Sequence, residues 1–270
     1  MSLDVAMSFN ACGPIQYSSR VTSESRAIEP SAVIRAIERT NDYLVALPDY
    51  LADADMDLFG AMGQRNISGF IGEVFARAFA AAVPGYVVNP HGDGRPDLLD
   101  VVSTTSRDYL HQECSHQVRN RSIPAKEKLA PFKYGGIEIK TTVGTPSRTY
   151  DREALKSQSG VTEFDVGIPR IDYLSSLKYW GHHKDCESLL GLYYDYLPAR
   201  RYLPQVVLAM YAEIDPSSDW ADVSTGRPGS KKTSNTSLKS SGTQKLYSNP
   251  IAVINDAQYL AGLKKIGVNV

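Results

Sequence analysis

A chain of 270 residues is long enough to bury a substantial core, as one large domain or as one domain with an elaboration. Its 29 basic and 30 acidic residues leave a net charge of −1, which argues against a broadly cationic nucleic-acid coat and makes any such signal local. Cys12, Cys114 and Cys186 are few and far apart, and there is neither a basic-then-apolar leader nor an apolar run of 18 residues, so the expectation is a soluble protein of a reducing compartment, the cytoplasm.

In chain order, residues 1–28 are Ser-rich without a clear period and read as an arm or loosely docked segment. A helical pattern begins at Glu29-Pro30-Ser31, with proline near the first turn, and runs through Arg39; more helix is expected from Tyr43 to Phe59. Residues 1–60 thus form an arm and helical layer, and residues 61–270 the core with its insertions, in a single compact unit. Ser68 to Phe79 is an amphipathic helix, with Phe70, Val74, Phe75, Ala78 and Phe79 at helical spacing and Glu73 among them.

The Gly- and Pro-rich stretch 89–96 is a turn that feeds a short apolar strand over 97–102. Proline before Asp97 suits a strand start, where a missing donor does little harm. Residues 103–134 are an insertion, polar and basic around Arg119 and Arg121, which either reaches over a nucleic acid or is a solvated hairpin or loop. After the Glu138-Ile139-Lys140 strand come Thr141-Thr142-Val143-Gly144. Two further strands are expected, 188–196 half-buried and 205–214 a nearly continuous apolar core strand.

Asp97 and Glu138-Ile139-Lys140 carry the chemistry. Side chains at i and i+2 of a strand leave one face about 6.6 Å apart, so Glu138 and Lys140 share a site while Ile139 faces the core. Asp97 has only to arrive from the neighbouring strand. Two carboxylates can hold a hard divalent cation that neutralises charge on a phosphoryl group and acidifies a bound water. The lysine can orient that water, take part in its deprotonation or stabilise the transition state, and spacing leaves the three roles open.

Pro96-Asp97 and Glu138-Ile139-Lys140 resemble the motif of the PD-(D/E)XK nuclease superfamily, and within it the type II restriction endonucleases. The resemblance implies an α/β fold with a restriction-endonuclease-like mixed central β-sheet flanked by helices, behind an N-terminal helical layer. It implies Mg²⁺ held by Asp97, Glu138 and Ile139, with the helical Glu73 as a further ligand, direct or through water; Glu73 is otherwise a solvated helix-face acid. It also implies Asp97, Glu138 and Lys140 as catalytic residues, cleavage of double-stranded DNA to 5′-phosphate and 3′-hydroxyl ends, and a homodimer, since a two-fold protein on a palindromic site cuts both strands.

DNA engagement is expected from Arg119, Arg121 and Thr141, and above all from the acid-free stretch carrying Arg227, Lys231, Lys232, Asn235, Lys239 and Lys245 among Ser, Thr and Gly. Five cations each meeting one phosphate would give a salt slope of about −4.5 in log K against log[salt]. A disordered solvated loop has the same composition. Two alternatives stay beside the restriction enzyme: a repair or recombination nuclease, junction-resolvase-like, that reads DNA structure, and a DNA-binding protein without catalysis. A structural zinc site joining His111, Cys114 and His116 to His182, His183 and Cys186 is a rival use of those residues. Phosphate-loop, nucleophile-elbow and His-Glu-x-x-His motifs are absent.

Overall fold

A computed structural model describes residues 7–22, 25–51, 57–119, 124–147, 167–224 and 235–270, with backbone alone at 115–119. Strands β1 (Phe9–Ala11), β2 (Ile15–Ser18) and β3 (Ser25–Ile28) precede helices α1 (Pro30–Tyr50), α2 (Leu58–Ala61) and α3 (Gln64–Ala82). Strands β4 (Tyr86–Val88) and β5 (Leu98–Asp100) follow, then α4 (Thr104–Arg119), α5 (Lys126–Leu129), β6 (Gly136–Thr142) and the short β7 (Thr145–Pro146). The last part holds β8 (Leu174–Ser176), β9 (Trp180–Gly181), β10 (Ser188–Leu197), β11 (Leu203–Glu213), β12 (Thr236–Ser237), α6 (Ser240–Ser248), β13 (Pro250–Ile254) and α7 (Ala257–Lys265).

The central sheet has seven strands in the order β1-β13-β11-β10-β6-β5-β4. Among the described residues of this sheet only β6 and β10 run parallel and every other pair is antiparallel, so the sheet is mixed. Helices cover both faces. Val33, Ile37 and Leu44 of α1 and Ile67, Ile71, Phe75 and Phe79 of α3 pack with Ile137, Ile139, Leu190 and Leu192 on one side. Leu246 and Tyr247 of α6 and Tyr259 and Leu263 of α7 pack with Leu189, Val207, Leu208 and Met210 on the other. This double cover explains why β10 is buried at all ten positions, where a half-buried strand was expected.

Helix α1 starts with Pro30 in its first turn, and its buried residues recur three and four apart from Ala32 to Val45. Its buried Asn41 completes the backbone of β11. β13 pairs with β11 from Leu208 onward, and the β10–β11 ladder shifts register after Tyr193, so the Val206 peptide groups need another partner. Asn41 Nδ2 donates to Val206 O at 2.9 Å, and Val206 N donates to Asn41 Oδ1 at 2.8 Å. Asp195 does a similar job on β10, accepting from the amides of Arg170, Ile171 and Tyr196 and the hydroxyls of Tyr193 and Tyr259.

Three expectations are corrected. The described part of residues 1–28 is not a loose arm: β1 closes one edge of the sheet against β13, and the β2–β3 hairpin buries Ile15 and Tyr17. These strands are three or four residues long, too short to show a period, and long-range pairing supplies what local pattern lacks. The described part of residues 103–134 is mostly helix and not loop: α4 and α5 occupy most of it, and Cys114, Leu129 and Phe132 pack onto Leu99 and Val101. The helix expected over 43–59 divides, with α1 ending at Tyr50 and α2 beginning at Leu58.

Candidate active site

β6 sets the site because its alternation separates two jobs. Ile137 and Ile139 enter the core beneath α1 and α3, while Glu138 and Lys140 leave on the opposite face. The β5–β6 register pairs Leu98 with Ile137 and Leu99 with Gly136. Continued by one pair, it sets Asp97 opposite Glu138, and residues so placed have Cβ atoms about 4.5–5.5 Å apart. Asp97 Oδ2 accepts from the Ile139 amide at 2.7 Å. Gly136 permits the tight approach of the two strands, since a Cβ there would stand 1.9 Å from Leu98 O.

α3 lies against the same strand. Thr141 Oγ1 donates to Ser68 O at 2.5 Å, and Gly72 faces Thr141 and Ile139. One residue beyond Gly72, the exposed Glu73 borders the cleft and pushes the Asp97 carboxyl upward through its charge. The cleft, about 780 Å³ in volume, is also bordered by Asp97, Ile139, Lys140, Thr141 and Asn235. Arg65 and Arg77 of α3, and Lys178, Trp180 and His182 from the segment around β9, line it as well. Trp180 is 55% exposed, with Lys178 Nζ 4.3 Å from its ring centre.

Charge in the site is unbalanced in an informative way. Glu138 is 2% exposed. Burial alone would raise its carboxyl, but the Lys140 ammonium and the His183 ring outweigh burial and hold it down at about 2. Asp97 gains less help: burial and then the Glu138 charge push it up to about 7, against the pull of Lys140 and the Ile139 amide. Burial works against the Lys140 ammonium, yet Glu138 and Asp97 keep it well above its ordinary range. Lys140 is therefore a fixed cation, ion-paired to Glu138 Oε1. One lysine serves the buried Glu138 and the half-buried Asp97 together, a pair of acids to which a further cation could add neutralising charge.

A second set of groups converges on Glu138 from the segment before β10. Because Leu189 pairs with Glu138 across the parallel β6–β10 ladder, that segment passes beside the carboxylate. His183 Nε2 lies 3.3 Å from Glu138 Oε1, and Cys186 Sγ donates to Glu138 Oε2 at 3.3 Å. Ligand atoms of Glu138, His183 and Cys186 all lie within 4.8 Å of one another, so the group could hold a metal ion. The six-residue zinc site is corrected accordingly. Cys114 is turned into an apolar cluster with Leu99 and Phe132, His111 lies on the exposed side of α4, and His182 stands 3.2 Å from Arg65. The side chain of His116 lies outside the described residues.

The expected DNA-contacting residues are dispersed. Thr141 and Asn235 border the cleft. Lys239 caps the start of α6, and Lys245 pairs at 2.5 Å with the buried Asp219, away from the cleft, so a stretch without acids in sequence finds one in space. Arg121, Arg227, Lys231 and Lys232, and the side chain of Arg119, lie outside the described residues. Arg65, Arg77, Lys178 and Trp180 were missed by the sequence reading, because no motif joins three separate elements that meet only in space. In comparisons with known proteins, no family model, curated protein or solved structure matches the chain. Among the described residues no helix is long and apolar enough to cross a membrane.

Proposed function

We propose that this chain is a Mg²⁺-dependent endonuclease of the PD-(D/E)XK type with a restriction-endonuclease-like fold, and that it hydrolyses double-stranded DNA as a sequence-specific type II restriction enzyme. The observation that carries the reading is the pairing of Asp97 with the Glu138-Ile139-Lys140 strand beside an open cleft, with Asp97 held by the Ile139 amide. The pair of acids Asp97 and Glu138 fits a hard divalent cation, for which oxygen donors are the preferred ligands.

In this reading Asp97, Glu138 and the backbone carbonyl of Ile139 hold Mg²⁺, and Glu73 supports it from the helix side. When bound, the ion supplies an acidified water and neutralises charge on the phosphoryl oxygens. Glu138 exchanges one of its present donors, Lys140, His183 or Cys186, to share a cation with Asp97. Lys140, an ammonium beside the two acids, donates to the attacking water and stabilises the phosphoryl charge that develops. Arg65, Arg77 and Lys178 attract the phosphate backbone to the cleft, and Trp180 offers an aromatic face at its border. The protein acts as a homodimer, one centre per strand.

Incubation of the purified protein with phage DNA and Mg²⁺, followed by sequencing of the ends, tests the reading. Discrete fragments with a common sequence, 5′-phosphates and 3′-hydroxyls are expected. Preference for branched DNA without sequence dependence would make it a structure-reading nuclease, and tight binding without cutting a catalytically silent DNA-binding protein.

A further inference from the structure

We propose that Glu138, His183 and Cys186 form a second metal site, selective for Zn²⁺ or a similar borderline divalent ion, built on the opposite oxygen of Glu138 from the one that Lys140 holds. The donor types set the metal class. A thiolate and an imidazole favour zinc-like ions over Mg²⁺, which takes oxygen and keeps its waters.

Geometry carries the proposal. Bonds of about 2.0 Å to nitrogen or oxygen and about 2.3 Å to sulfur place tetrahedral ligands about 3.3–3.5 Å apart. Cys186 Sγ lies 3.3 Å from Glu138 Oε2 and 3.9 Å from His183 Nδ1, so small side-chain shifts close the set. His183 Nε2 lies 3.3 Å from Glu138 Oε1, so the ring already stands against the carboxylate and a turn of its side chain brings one nitrogen to the shared ion. Lys140 is paired with Oε1, which leaves Oε2 to the ion. On binding, the Cys186 thiol releases its proton to solvent and the sulfur joins the metal as thiolate.

The site stands whether or not the cleft cuts DNA. If the nuclease reading holds, zinc on Oε2 withdraws Glu138 from the cation it shares with Asp97, and Zn²⁺ inhibits at concentrations far below those of Mg²⁺.

Full-length protein stripped with chelator and titrated with Co²⁺ gives a readout independent of activity. One equivalent should produce a thiolate-to-cobalt charge-transfer band and the intense visible bands of a four-coordinate ion, and Zn²⁺ should abolish both. Cys186→Ser should remove the charge-transfer band, and His183→Ala should weaken Co²⁺ binding about 10- to 100-fold. Cys12→Ser and Cys114→Ser should leave the spectrum unchanged. Circular dichroism confirms that each variant is folded, with Cys186→Ala as the apolar replacement should the serine variant fail to fold. A wild-type spectrum lacking the charge-transfer band, or one that survives in folded Cys186→Ala, overturns the proposal and leaves the nuclease reading untouched.

Discussion

The amide of Ile139 donates to Asp97 Oδ2 at 2.7 Å, so a backbone group of one strand aims the acid that precedes the next. The bond ties two carboxylates together: Asp97 cannot turn away from Glu138 without leaving a buried amide unpaired.

That constraint has a measurable cost in the metal-free protein. Burial and the Glu138 charge raise Asp97 to about 7, above its unfolded value of 3.8. A raised folded value stabilises fully below the unfolded value, and that contribution is lost as pH rises through about 7. Asp97→Asn, which still accepts from Ile139, should therefore stabilise metal-free protein at pH 8 by about 1–3 kcal/mol and have no such effect at pH 4. Denaturant melts at the two pH values check this; a variant less stable at pH 8 would contradict it.

Lys140→Ala should act in two ways. It removes the cation between two acids, so metal-free stability should fall by about 3 kcal/mol at neutral pH, since an uncompensated buried charge remains. Cleavage should fall about 100- to 10,000-fold with DNA affinity kept within a few-fold, because the ammonium acts on the reacting phosphate. Gel-shift assays in Ca²⁺ alongside single-turnover cutting in Mg²⁺ separate the two effects.

Trp180 is more than half exposed and supports no core, so Trp180→Ala should leave the melting temperature within about 1 °C. If DNA lies in the cleft, the variant should bind duplex more weakly. The only other tryptophan, Trp220, is 2% exposed, so fluorescence quenching by DNA should disappear with Trp180.

Asn41→Leu tests the fold apart from the site. It leaves the Val206 amide and carbonyl without partners inside the sheet, and should cost about 2–4 kcal/mol in a denaturant melt. Activity per folded molecule should be unchanged.

Much of this was legible in the sequence, and for identifiable reasons. α3 shows itself by its helical spacing and β11 by its continuous apolar run, and Glu138 and Lys140 share a face by strand geometry alone. Asp97 needed one register, which the long β5–β6 connection through α4 and α5 does not encode. His183 and Cys186 stood out as metal-binding types, but their approach to Glu138 depends on the parallel β6–β10 pairing between strands 45 or more residues apart. The three-residue β1 is invisible locally because its stability comes from β13, more than 200 residues away.

The central claim is that Asp97 and Glu138 hold one hard cation between them. Paramagnetic resonance of Mn²⁺, a stand-in for Mg²⁺, counts bound ions without any substrate. Wild type should bind Mn²⁺, and Asp97→Asn and Glu138→Gln should each weaken that binding about 10-fold or more, with Cys186→Ser close to wild type. Mn²⁺ binding in Asp97→Asn equal to that of wild type would show that the two acids share no ion.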